Sequence, residues 1–160
     1  MKSRLALVLL CVVVLTGCTA TARLYPVQGP LAAQTPLPVY VAKMTDGAHA
    51  GNFSAVLNDG EVCKGRWEIV ARPKTSGAPS SVNDTAKPSM AAEWDIVYGP
   101  GYYVAHVLGS RLYGRAVVNG DRGTVLDVEI YKPDSDKDAT VGSIKGVAKD
   151  NRSNIYKVTF

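Results

Sequence analysis

The strongest constraint on how this chain folds is a two-residue alternation of apolar and polar side chains, repeated in short segments. In Thr124 to Lys132, Leu126, Val128 and Ile130 alternate with Asp127 and Glu129. In Glu61 to Ala71, Cys63, Gly65, Trp67 and Ile69 alternate with Lys64, Arg66 and Glu68. Successive side chains of a strand point to opposite faces, so this period describes antiparallel strands with one buried and one wet face. Val39 to Met44, Asn52 to Asn58 (Phe53, Ala55 and Leu57 on one face), Leu112 to Val118, Thr140 to Ala148 and Ile155 to Phe160 read the same way. Tyr102 to Leu108 joins them on its β-branched and aromatic content. Asn58-Asp59-Gly60, Asn119 to Gly123 and Asp150 to Asn154 supply tight turns.

About eight short strands joined by turns predict a mainly β chain, a single small antiparallel barrel or sandwich. One short helix is expected after Ser89, a candidate cap. It runs from Met90 to the Gly99-Pro100 stop, with Met90, Trp94, Val97 and Tyr98 on one face. Tyr156, Val158 and Phe160 end the chain like the last strand of an outer-membrane barrel. The strands are short for that, however, and charges occupy the face that would meet lipid.

The N-terminus has a different character. Lys2 and Arg4 precede an apolar run of 11 residues, Leu5 to Leu15. A charged start and a short apolar segment describe a secretory signal, and a membrane-spanning helix needs about 20 residues. The run ends in Leu15-Thr16-Gly17-Cys18. This resembles the lipobox of bacterial lipoproteins, in which the cysteine is acylated and becomes residue one. The resemblance implies a signal peptide over 1–17, a lipidated tether over 18–38 and a β-rich domain over 39–160. It also implies a membrane partner reached through a lipid on Cys18, since several acyl chains hold a protein stably. Thr19, in place of the Asp that favours inner-membrane retention, points to the outer membrane and its periplasmic face. Pro26, Pro30, Pro36 and Pro38 support the tether. Leu24-Tyr25-Pro26, Cys63-Lys64-Gly65-Arg66-Trp67 and Gly146-Val147-Ala148-Lys149-Asp150 are similar to stretches of small β-rich lipoproteins of Gram-negative bacteria without assigned activity.

Processing changes the charge and the cysteine count. Residues 18–160 keep 16 of the 18 basic residues against 14 acidic ones, a net +2, which gives no warrant for nucleic-acid binding. Cys11 leaves with the signal and Cys18 carries lipid. Cys63 then has no partner for an internal disulfide and reads as a small buried apolar residue. Residues 72–89 hold three prolines, four serines and one large aliphatic residue, Val82, and read as a flexible insertion.

Motifs of catalysis are incomplete. Asp134, Asp136 and Asp138 open like a calcium loop, but Ala139 stands where Gly is needed and Lys145 where Glu is needed. His49 and His106 lack further ligands at zinc spacing. Gly142-Ser143-Ile144-Lys145-Gly146 has its serine one place early for a nucleophile elbow. No metal and no cofactor are expected. Trp94, Tyr98, Tyr102 and Tyr103 form an aromatic cluster that could serve as a binding patch. The function expected is that of a non-enzymatic outer-membrane lipoprotein that binds or scaffolds another component of the cell envelope. The alternatives are an inhibitor of a periplasmic or host hydrolase, and a hydrolase using His106.

Overall fold

A computed structural model describes residues 19–45, 47, 49–70, 90–110, 112–133 and 143–160. Eight antiparallel strands follow one another around a closed barrel: β1 (Thr19–Gln28), β2 (Tyr40–Thr45), β3 (Ala50–Val56), β4 (Val62–Ile69), β5 (Leu112–Gly120), β6 (Val125–Lys132), β7 (Lys145–Asp150) and β8 (Ile155–Thr159). Each strand pairs with the next, and β1 closes on β8 through Arg23↔Thr159 to Gln28↔Ile155, with a register shift after Pro26. Closure leaves no unpaired edge. One helix, α1 (Ala91–Tyr98), lies against the outer wall. No helix among the described residues is long and apolar enough to cross a membrane.

The barrel is filled by its own side chains, as eight strands require. Leu24, Tyr40, Phe53, Trp67, Val118, Leu126, Tyr156 and Val158 are buried inside, with Ala22, Ala42, Ala55, Ala116 and Ala148 where walls come close. The alternation at 63–69 has the phase expected, whereas at 126–130 Leu126, Val128 and Ile130 face inward as expected but Glu129, on the face expected to be wet, is buried. Cys63 and Trp67 are buried, while Lys64, Arg66 and Glu68 face out. Gly65 stands close against the backbone of β5. A Cβ there would meet the Val117 carbonyl oxygen and come within 2.9 Å of the Val118 Cα.

Two assignments change. Residues 19–28 were expected to form a tether, and they are a barrel strand. Ala22, Leu24 and Pro26 alternate inward with the same period as the other strands. Four prolines hide this pattern, yet only Pro26 lies in the strand. It sits where the β1–β8 register shifts, a place that tolerates a missing N–H. The other three fall in the β1–β2 connection, which contains a 3₁₀ turn (Pro30–Ala33). The second change concerns Tyr102 to Leu108, which is helical rather than a strand. The Leu108 N–H bonds to the Tyr103 carbonyl five residues back, a single wide turn over Tyr103–Val107. Here tertiary contacts override β-propensity. The Asp95 carboxylate accepts the Tyr103 N–H at 3.0 Å, and Tyr102 continues the aromatic stack of α1. The expected count of about eight strands therefore stands, with β1 in place of 102–108.

The expected α1 face is the one that packs. Met90 and Trp94 are buried, and Val97 and Tyr98 are packed beside them against Tyr131 and Val147 of the outer wall. Ser89, the 72–89 insertion, Cys18 and the three aspartates of the calcium-like loop lie outside the described residues.

Candidate functional site

α1 is held on the barrel by a carboxylate from β6. Glu129 is fully buried between the wall and the helix. It accepts the Met90 N–H at 3.0 Å and the Trp94 Nε1–H at 2.8 Å, and Arg115 Nε lies 3.4 Å away. A free N–H at the start of a helix needs an acceptor, and Glu129 supplies it from across the interface. Burial, followed by the charge and hydrogen bond of Glu129, pushes the Tyr113 hydroxyl well above its ordinary pKa. Lys149 pairs with Glu93 at 2.7 Å beside the same seam.

This seam orders three of the four residues singled out as an aromatic patch. Trp94, Tyr98 and Tyr102 form a stack with centroid separations of 5.5 Å and 4.7 Å, and His106 continues it at 4.6 Å from Tyr102. Their spacing of four residues places one ring over the next. Trp94 is fully buried and its edge is met by Tyr131. Tyr98 and Tyr102 are half-buried, with Lys145 and Lys157 ammoniums 5.3–5.8 Å from their rings. The Tyr102 hydroxyl bonds to that of Tyr131 at 2.7 Å and accepts from Lys145 Nζ at 3.2 Å. Burial pushes the Tyr98 hydroxyl up to about 12, and it donates to the Gly146 carbonyl at 3.3 Å. Tyr103 packs against this cluster beside the stack. The four aromatics thus attach α1 to the barrel.

A second location emerges only from the topology. The β1–β2 connection and the β3–β4, β5–β6 and β7–β8 turns share one end of the barrel, opposite to Thr19. There a pocket of about 380 Å³ opens between Leu31, Tyr40, Asp59, Asp150, Arg152 and Tyr156. Tyr40 and Tyr156 form its aromatic wall, with ring centroids 5.9 Å apart. Asp150 is buried and accepts the Arg152 N–H, the Asn154 N–H, Asn154 Nδ2 and the Tyr156 hydroxyl, all at 2.7–2.8 Å. Burial, then the Asp150 hydrogen bond and charge, push the Tyr156 hydroxyl far above its ordinary range. Tyr40 is raised too, by burial and by Asp59 and Asp150.

Next to this pocket lies Glu61, also fully buried. It accepts the Arg122 and Thr124 N–H groups at 3.0 and 2.8 Å and the Thr124 hydroxyl at 2.6 Å, with Arg152 3.5 Å away. Burial opposes its ionisation. The bonds from Thr124 and Arg122, together with the Arg152 charge, outweigh that, and the carboxyl titrates below its ordinary 4.5. Cys63 is a free, buried thiol pushed up to about 11 by burial and then by Glu61, Asp121 and Asp59. This environment is opposite to the basic one that activates a thiolate.

The Asn58-Asp59-Gly60, Asn119 to Gly123 and Asp150 to Asn154 motifs were legible as turns. That the first and third line one pocket, with the second at the same end of the barrel, follows from strand order, which no single motif carries. His106 is exposed on the turn at the opposite end of the barrel from this pocket, and His49 is exposed in the β2–β3 connection. Among the described residues no group of three or more His, Cys, Asp and Glu side chains could hold a metal ion. The pocket offers a largely apolar cavity with a charged rim of Arg152 and Asp59, suited to holding a polar group against two tyrosines. No protein-family model matches the chain, and no curated protein or solved structure shows significant similarity to it.

Proposed function

We propose that this chain is a lipid-anchored, non-enzymatic lipoprotein of the outer membrane whose barrel binds or scaffolds another component of the cell envelope. The observation that carries this reading is the polarity of the barrel. Leu15-Thr16-Gly17-Cys18 immediately precedes β1, and the pocket opens at the opposite end. A barrel held through Cys18 presents that pocket away from the bilayer. The buried carboxylates Glu61, Glu129 and Asp150 are all taken up by structural hydrogen bonds, which suits a rigid binding module.

Two measurements test it. Cys18→Ser should abolish incorporation of labelled fatty acid and release the protein from the membrane fraction or stall its precursor. A processed Cys18→Ser protein that still sediments with membranes refutes the anchor. A photo-crosslinker at Asn58, on the pocket rim, should capture an envelope component, and Arg152→Glu should suppress that capture. Capture unchanged by Arg152→Glu refutes the pocket as the binding site, and capture of a hydrolase selects the inhibitor reading.

A further inference from the structure

The turn at Tyr103–Val107 projects apolar side chains at the same end of the barrel as the start of β1. Alternate strand ends share an end in this topology, so Thr19, Thr45, Lys132 and Lys145 lie around one rim. The turn is fixed beside the end of β6. Ser110 Oγ donates to the Lys132 carbonyl at 3.2 Å, and the Tyr102 and Tyr131 hydroxyls are bonded. It buries Val107 inward, while Val104 is 67 % exposed and Leu108 37 % exposed. Ala105 and His106 are exposed between them, the Lys132 carbonyl meets Ser110 just after the turn, and the Lys145 ammonium meets Tyr102 just before it.

Single exposed apolar residues are ordinary on protein surfaces and carry nothing by themselves. Their position relative to the N-terminus is what matters. Thr19 is already paired with Thr45, so no free residue separates Cys18 from the barrel wall. One residue of extended chain spans about 3.3 Å. An acyl group on Cys18 therefore brings the rim itself to the headgroup layer.

We propose that this rim is the membrane-facing surface of the protein. Val104 and Leu108 enter the boundary between headgroups and acyl chains, and Lys132 meets lipid phosphates. The proposal rests on the acylation of Cys18 proposed above. The acyl chains supply attachment, while the apolar turn fixes which way the barrel stands, a division of labour common to proteins that combine a lipid with a second membrane contact. It deepens the functional reading, because a barrel standing on this rim directs the Tyr40–Tyr156 pocket into the aqueous space.

The test uses the full-length protein purified from membranes and reconstituted in vesicles of phosphatidylethanolamine and phosphatidylglycerol. Its acyl mass is measured first. A nitrobenzoxadiazole probe is placed on Val104→Cys, and separately on Asn58→Cys at the pocket end. Buried Cys63 contributes a background measured on the unsubstituted protein. A spin label carried on the lipid acyl chains should quench the probe at 104 several-fold more than the probe at 58. Equal quenching of both probes in acylated protein overturns the membrane-facing rim and leaves the anchor standing. A processed chain without acyl mass overturns both. Protection of the 104 probe from soluble iodide in lipid-free, unacylated protein shows a second copy of the chain covering the turn, and also overturns the proposal.

Discussion

Replacing Glu129 by Gln tests the account of how α1 is held to the barrel. The carboxylate is fully buried and meets N–H donors at 3.0 Å from Met90 and 2.8 Å from Trp94, with Arg115 3.4 Å away. A glutamine keeps one acceptor and turns an amide NH₂ toward the other donors. At least one buried N–H then loses its partner, and the remaining bonds lose their charge assistance. An orphaned donor costs about 1–3 kcal/mol, and a bond to a charged acceptor exceeds a neutral one by about 1 kcal/mol, so Glu129→Gln should cost about 3 kcal/mol. That lowers the melting temperature by about 6–12 °C. Chemical denaturation followed by circular dichroism measures the loss. A double-mutant cycle with Trp94→Phe isolates the mechanism, because phenylalanine removes the donor that the glutamine NH₂ confronts. The cycle should show coupling of about 1–2 kcal/mol, with the double variant less destabilised than the sum of the two. A Glu129→Gln cost below about 1 kcal/mol, or additive effects in the cycle, would refute the argument.

Three further outcomes follow from the geometry. Glu61 titrates below 4.5 when folded, so its contribution to stability is complete above the unfolded carboxylate pKa and is lost as pH falls through the lower folded value. The stability difference between the wild type and Glu61→Gln should therefore be constant at neutral pH and shrink below about pH 4.5; urea titrations across pH measure it, and a difference that grows on acidification contradicts the assignment. Cys63, held near 11 and fully buried, should resist thiol reagents at pH 8 in the folded protein and react on unfolding, as a timed dithionitrobenzoate assay would show. Gly65→Ala should destabilise by about 1–3 kcal/mol, since its methyl group meets β5 backbone rather than a movable side chain, and a neutral melting temperature would show that the wall gives way.

What could be read from the sequence was what is periodic and local. Leu126, Val128 and Ile130 announce their strand because each apolar residue points inward and each intervening one outward. β1 has the same phase at Ala22, Leu24 and Pro26, but Arg23 and the following prolines obscure it, and its burial comes from pairing with β8 far along the chain. Tyr102 to Leu108 has the composition of a strand and becomes a helical turn because Asp95 and the Trp94 stack hold it. The aromatic cluster was visible as adjacent residues, yet its use in fixing α1 to the wall depends on Glu129, 35 residues beyond Trp94. The pocket could not be read at all from any one segment, since its wall joins Leu31 and Asp59 from two connections with Tyr40 of β2 and Tyr156 of β8.

The pairing of β1 with β8 also sets an order of events. Arg23 meets Thr159 across nearly the whole described chain, whereas every other pair joins strands that are neighbours in sequence. Most neighbouring pairs close short loops at low entropic cost, β4 and β5 are joined through the long connection that carries α1, and the last seam closes the longest loop of all. The barrel can therefore assemble as a growing open sheet from β1 to β7 but cannot be sealed until β8 exists. Until then β1 and β7 present unpaired edges that any other strand could join. The slowest step and the greatest exposure to misassembly should coincide at this seam, the same seam that sets β1 in the wall beside Cys18.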